Sequence, residues 1–483
     1  MYRAVAIAAV CVLGVAPAYA RTSHQPEGWD ADVRLRAAVD HDADPRVVEV
    51  RLDARVATVE IAPGVTVQAW TYDGGIPGPL IRVRVGDRLV VRFTNHLPQP
   101  TTVHWHGLRI PIQMDGVPQH SQPEVPPGGS FTYDFVVPDA GLFWYHPHIQ
   151  SAAQVGFGLY GALLVDDPAD PVGVDDELVL VLSDISITDA GVLEPPDSGG
   201  SAGMVFGREG THVLVNGRVR PRLAVRSGAP QRWRILNAAK SRYFQLFLDG
   251  QMFTKVGGDN GLQEYAETGD RLVIATGERA DVLVTPSAAA GEELPLISLL
   301  YNRGYGSVEF REQPLLLTLD VSALPPYSGP SPPPVRRAIE PLTTDGAAKV
   351  TVDLTIAKKS DGSFEYGING VAFAKNKPIA AAPGETQVWT ITNQTKWSHP
   401  FHLHGFSFLV LDADGRPKHP LVWKDTVDVP LEQTVRFVVA FDDRRGTWMY
   451  HCHILDHADG GMMGVVELGV AGSREHTHHS DVP

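Results

Sequence analysis

Ten of the 19 histidines in this 483-residue chain fall into four short clusters. They are His104-Trp105-His106-Gly107, His146-Pro147-His148, His399-Pro400-Phe401-His402-Leu403-His404-Gly405, and His451-Cys452-His453-Ile454-Leu455-Asp456-His457, the last running on to Met462. On an extended strand, residues two apart face the same side, so each His-x-His can aim two imidazoles at one metal ion or at neighbouring ions. Imidazole suits copper, zinc, iron and nickel, whereas a thiolate with two imidazoles and a weak thioether selects a blue-copper centre. His399, Cys452, His457 and Met462 make up that set, with a Cys-x4-His-x4-Met spacing that fits a loop around one ion. The other eight histidines form four pairs: His104/His106, His146/His148, His402/His404 and His451/His453. No acidic residue lies within a pair, which argues against a carboxylate-bridged iron site. Cys452 stands directly between His451 and His453, so an electron on its sulfur has a path of a few covalent bonds into two of the paired rings. That placement couples one-electron oxidation at one centre to multi-electron reduction at another.

Three similar stretches of chain must carry these clusters. Short alternating runs such as 66–70, 89–93 and 131–135 are broken by Gly/Pro turns, including Gly74-Gly75-Ile76-Pro77-Gly78-Pro79, and read as strands. The texture returns at Val213-Leu214-Val215-Asn216-Gly217 and Gln231-Arg232-Trp233-Arg234-Ile235-Leu236-Asn237. It returns again at Tyr366-Gly367-Ile368-Asn369-Gly370 and Gln387-Val388-Trp389-Thr390-Ile391-Thr392-Asn393. Repeats of this length predict tandem β-sandwiches rather than a solenoid, whose period is roughly 20–50 residues. The fold is expected to be all-β, with domains over 46–170, 175–322 and 346–470 and a Pro-rich linker over 323–345. Two histidine pairs fall in the first repeat, two in the third and none in the second. A cluster must therefore form where the terminal domains meet, with the middle domain as a spacer.

Composition narrows the class. Gly 47 and Pro 38 exceed the average share and suit short strands joined by turns. A net charge of −15 leaves no basic footprint for nucleic acid or anionic lipid. Residues 1–20 read as a signal peptide: a basic start at Arg3, an apolar run, and Ala18-Tyr19-Ala20 as the cleavage signal. No stretch is long and apolar enough to span a bilayer. Cys11 leaves with that peptide, so the mature chain keeps one thiol, Cys452, for chemistry rather than for a disulfide. An exported protein, periplasmic or extracellular, is expected.

The four motifs and their order resemble the multicopper oxidases, specifically three-domain bacterial laccase-like enzymes, over nearly the whole mature chain. The resemblance implies three cupredoxin-like Greek-key domains and four copper ions. It places a type 1 copper on His399, Cys452 and His457 with Met462 axial, and a type 2 copper on His104 and His402. One type 3 copper would take His106, His146 and His453, and the other His148, His404 and His451. Electrons from a small aromatic reductant would arrive at the outer edge of His457, and dioxygen would be reduced to water at the cluster. The expected protein is a monomer without a nucleic-acid partner.

Further positions follow from the same resemblance. Asp115 matches an acid near the type 2 copper that helps deliver protons, and Asp425 an acid near the type 1 region that could orient a ligand ring. Trp397 precedes His399 as in the Trp-x-His of bilirubin oxidases. The glutamate that relays protons in many bacterial relatives is replaced by Ala458, which leaves Asp115, then Asp456 and Asp459, as donors. Seven methionines, clustered only at Met462-Met463, and Thr395 and Trp397 before the third motif, tell against Cu(I) detoxification. A metallo-oxidase for Cu(I), Fe(II) or Mn(II) and a bilirubin-oxidase-like enzyme are the alternatives. A non-enzymatic scaffold would have lost these ligands. The 471–483 tail, with His476, His478 and His479, reads as polar and disordered.

Overall fold

The computed structural model describes residues 33–470 apart from 175, 189, 196, 197, 199, 305–312 and 333. The signal peptide expected over residues 1–20 and the 471–483 tail lie outside the described residues. Strands follow the alternating runs: Val65–Tyr72, Arg88–Asn95 and Ser130–Val136 in the first repeat, Gln231–Asn237 in the second, Thr386–Asn393 in the third. Among the described residues helix is confined to short turns, of which α1 (Ser151–Gly156), α2 (Gly200–Phe206) and α3 (Leu455–Asp459) matter below.

Among the described residues six sheets pair into three sandwiches, each around its own apolar core. Each is built on the same parallel pairing: Val47–Ala54 beside Arg88–Asn95, Asp176–Leu182 beside Gln231–Asn237, and Ala348–Leu354 beside Thr386–Asn393. The Asn-Gly turns predicted at Asn216-Gly217 and Asn369-Gly370 have both residues at positive φ, the type I′ geometry that matches strand twist. Asp73-Gly74 does the same in the first repeat, with φ of 53° and 79°.

A buried asparagine ends the central strand in every sandwich and ties down the loop that follows. Asn95 donates to the carbonyls of Gln99 and Val125, Asn237 to those of Arg242 and Ile274, and Asn393 to those of Trp397 and Val429. The carbonyl of each side chain also accepts a backbone N–H two residues on. Buried amides satisfied this fully fix the loop geometry. These loops deliver His104 in the first sandwich and His399 and His402 in the third. Counted from the asparagine, Tyr243 stands where His399 stands, and Leu246 and Leu248 where His402 and His404 stand. The middle repeat keeps the scaffold and carries leucine in place of the ligand pair. No helix among the described residues is long and apolar enough to cross a membrane.

Candidate metal centres

Two antiparallel strand pairs bring the histidine pairs together. His104–His106 pairs with Gly141–His146, setting His104 opposite His146. His399–Leu403 pairs with Gly446–Cys452, setting His402 opposite His451. The first and third sandwiches meet along these strands. There the His106 and His402 rings stack at 3.7 Å, and the His104 and His404 rings at 3.9 Å.

The hydrogen bonds fix which nitrogen of each ring is bare. His104 Nδ1 donates to the Asp115 carbonyl at 2.7 Å, His146 Nδ1 to Pro147, His402 Nδ1 to Asp425, and His451 Nδ1 to Cys452. His404 Nδ1 donates to Asp115 Oδ2 at 2.9 Å, and His106 is turned around, its Nε2 donating to Asp425 Oδ1 at 3.0 Å. A carbonyl or carboxylate can only accept, so the opposite nitrogen carries a lone pair. His104 Nε2, His106 Nδ1, His146 Nε2, His402 Nε2 and both nitrogens of His453 are buried with no hydrogen-bond partner. His451 Nε2 faces His404 Nε2 at 3.1 Å and His148 Nε2 at 3.4 Å. Converging lone pairs without donors are the signature of a cation site, with each ligand ring held from behind. Burial favours the neutral form of six of the rings: His404 is pushed down to about 3, and His106, His146, His148, His451 and His453 lie well below their ordinary value.

The ligand atoms of His148, His404 and His451 lie within 4.8 Å of one another, as do those of His104, His106 and His146, and of His104, His402 and His404. The His453 ring sits 4.9 Å from His106 and 5.7 Å from His146. A second group, His399, Cys452 and His457, also lies within 4.8 Å. Cys452 Sγ is 3.4 Å from His399 Nδ1 and 3.6 Å from His457 Nδ1, and the two Nδ1 atoms are 3.1 Å apart. The backbone N–H of Ile454 donates to the sulfur. Met462 is fully buried in the apolar cluster that holds Cys452, and its carbonyl accepts the Cys452 N–H.

The structure corrects three expectations about individual residues. Asp425 serves the larger cluster: it holds His106 by its carboxylate and His402 by its carbonyl. Burial alone would raise its carboxyl, but Arg279 and His106 hold it well below the ordinary range. Asp115 lies beside the cluster as expected: its Oδ2 accepts from His404 Nδ1, and against the effect of burial His404 and His104 hold its carboxyl low. Asp456 accepts from Arg208 Nε at 2.8 Å and from Ser241, facing away from the cluster. The outer edge of His457 is closed, since Nε2 donates to the Val205 carbonyl of α2 at 3.1 Å and the ring is fully buried. Tyr366 stacks on that ring at 4.3 Å, and its hydroxyl lies against the carbonyls of Met204 and Val205. Phe206 packs on Trp397, completing the cover.

The middle sandwich is therefore more than a spacer. It supplies Val205, Arg279, and Thr276, whose hydroxyl donates to the His453 carbonyl at 2.8 Å. Sequence reasoning missed Arg279 and Tyr366. The Tyr366-Gly367-Ile368-Asn369-Gly370 run shows a turn, and nothing local marks its first residue as a ring partner of His457. Asp459 and Ala458 line a cavity of about 170 Å³ that reaches His146, His148 and His451. Asp459 accepts the N–H groups of Ser151 and Ala152, and burial pushes its carboxyl up to about 6.

Fold and site together define an oxidase built on copper, and comparison with known proteins agrees. Residues 53–170, 176–292 and 345–470 each match a sequence profile described as multicopper oxidase, and the chain belongs to that family. It is 33% identical to the multicopper oxidase MmcO of Mycobacterium tuberculosis, over 86% of each chain. A multicopper oxidase from Campylobacter jejuni, described as a metallo-oxidase, superposes with a TM-score of 0.79 at 27% identity, covering 90% of this chain and 94% of that one. The laccase-like CueO of Ochrobactrum sp., described as active on lignin model compounds and lignosulfonate, gives 0.77 at 27%, covering 90% and 100%.

Proposed function

We propose that this protein is an exported laccase-like oxidase that takes electrons singly from phenols and aromatic amines and passes them to dioxygen. His399, Cys452, His457 and Met462 would hold the type 1 copper. His104 and His402 would hold the type 2 copper, His106, His146 and His453 one type 3 copper, and His148, His404 and His451 the other. Bound there, the coppers would supply one-electron oxidation at the thiolate centre and reduction of dioxygen to water at the cluster. The observation that carries the reading is the position of Cys452: its sulfur faces His399 and His457 while its two neighbours in sequence face the other group.

The chain's own residues do the positioning. Thr395 Oγ1 lies 2.8 Å from His399 Nε2 and fixes that ring from outside. Asp115 and Asp425 hold rings on opposite sides of the cluster. Burial of the Cys452 thiol raises it well above its ordinary value, so the thiolate exists only with a cation beside it.

A metallo-oxidase is the second reading, favoured by the cover over His457, which shuts out a planar ring. Against it, the acids near the cover are already engaged: Asp456 with Arg208, and Glu209 with Arg242 and Arg303. The copper-loaded protein should be blue and bind about four coppers, and Cys452→Ser should lose the colour while keeping the cluster. Oxygen uptake with a phenol, an aromatic amine, Cu(I), Fe(II) and Mn(II) then separates the readings. Faster uptake with Cu(I) than with every aromatic would replace ours, and a colourless, inactive protein after copper loading would overturn both.

A further inference from the structure

Both rings of the proposed type 1 centre are shut off from solvent: His457 by Val205 and Tyr366, His399 by Thr395. A bulky reductant cannot touch either ring while the cover is in place, and the cover is pinned at Met204, Val205 and Phe206 by Tyr366 and Arg303. Beside the centre lies a second aromatic device. Tyr243, which occupies the middle repeat's counterpart of the His399 position, is buried and stacks on half-buried Tyr301, with centroids 5.6 Å apart and planes 19° apart. The Tyr243 hydroxyl donates to Asp428 Oδ1 at 2.7 Å, and Asp428 pairs across the strands with Pro400, the residue after His399. Arg303 lies over the Tyr243 ring at 5.5 Å, and its carbonyl accepts the N–H of Ser398, the residue before His399. The pair is thus anchored on both sides of a proposed copper ligand.

We propose that Tyr301 is the contact at which bulky phenolic reductants deliver electrons, and that Tyr243 with Asp428 carries them inward to the His399 side of the type 1 centre. This rests on the laccase-like reading above. The oxidised centre draws one electron from Tyr243 as the phenol O–H breaks and its proton forms an O–H bond on Asp428. The Tyr243 ring then takes one electron from the stacked Tyr301 as Asp428 returns its proton, and Tyr301 loses its own phenolic proton to solvent. The reductant restores Tyr301 with one electron while a proton returns from solvent. Net, the reductant loses one electron, and its own phenolic proton goes to solvent. Burial, reinforced by Glu278 and opposed by the Tyr243 hydrogen bond and by Arg303, pushes the Asp428 carboxyl up to about 7, which brings its proton affinity closer to that of a phenol.

The test uses copper-loaded enzyme under anaerobic conditions, following bleaching of the blue band by lignosulfonate and, separately, by dithionite, an ion small enough to need no aromatic contact. Tyr243→Phe and Tyr301→Phe should each slow bleaching by lignosulfonate about tenfold or more and change dithionite less than about twofold. Tyr301→Trp, which keeps an oxidisable ring, should retain the rate, whereas a packing role would be met equally by Phe. A nitroso spin trap added to the oxidised enzyme should leave an adduct on Tyr301, mapped by peptide mass, that is missing from the copper-free protein and from Tyr243→Phe. Equal lignosulfonate rates in all four proteins would overturn the proposal and mean that electrons pass through the cover. A wild-type protein that never turns blue would overturn the laccase-like reading as well.

Discussion

Asp115 and Asp425 each hold a ring of the cluster from behind, yet they differ in what surrounds them. Asp425 has Arg279, whose Nη1 is 2.8 Å from Oδ1, and Asn260, whose amide donates to Oδ2 at 3.0 Å. Among the described residues the Asp115 carboxylate accepts only from His404, at Oδ2, and its Oδ1 lacks a hydrogen-bond partner. Removing a carboxylate that orients a ligand imidazole costs about 10–100-fold in metal affinity or activity. Asp115→Asn should therefore lower oxygen-reduction turnover by about that factor while the blue colour persists, since His399, Cys452 and His457 are untouched. Turnover and visible absorbance measured on the same preparation check this. A near-normal rate would show that the backbone carbonyl of Asp115, still bonded to His104, is sufficient.

At the scale of elements, α2 decides what reaches the His457 edge. It is too short to be stable alone and stays in place by its contacts. The Tyr366 hydroxyl, shared between two carbonyls, is one of them, and a hydrogen bond of this kind contributes about 1 kcal/mol. Tyr366→Phe keeps the ring stacked on His457 and loosens the cover, so the uncovered population should rise about fivefold. Bleaching of the blue band by hydroquinone should speed up correspondingly, and an unchanged rate would mean that Arg303 and Phe206 suffice to hold the cover. The ligand strands could be read from the sequence because period-two histidines need only local geometry to converge. The cover could not, because its partners Tyr366 and His457 come from another sandwich. Asp425 and Arg279 are 146 residues apart, so no spacing rule links them, and Asp425 was placed on the wrong centre for that reason. Asp456, adjacent to His457, looked like a donor until α3 turned it toward Arg208.

For the molecule as a whole, the cluster is a liability before metal arrives. Burial pushes His399 and His404 down to about 3, whereas unfolded histidines protonate near 6.5. The folded chain binds fewer protons than the unfolded one between those values, so stability falls as the pH drops through that window. At pH 5 each such ring costs up to about 2 kcal/mol relative to neutral pH. Thermal unfolding of copper-free protein should therefore show a midpoint that falls steadily below pH 6.5, and copper, binding only the folded state, should flatten that fall. A midpoint independent of acid would contradict the assignment of these rings as buried and neutral. The placement of the ligands also sets a biosynthetic order. Half the paired rings are made early and half at the far end of the chain, with the middle sandwich and the linker between them. On the proposed ligand assignment no partial chain can assemble the cluster, so its metal would be acquired only after the terminal sandwiches have docked. Copper bound there would be a clasp between the two ends of the polypeptide. Cleaving the exposed linker near Leu324 should then leave the loaded molecule in one piece on gel filtration, and chelation should lower the temperature at which the third sandwich comes away.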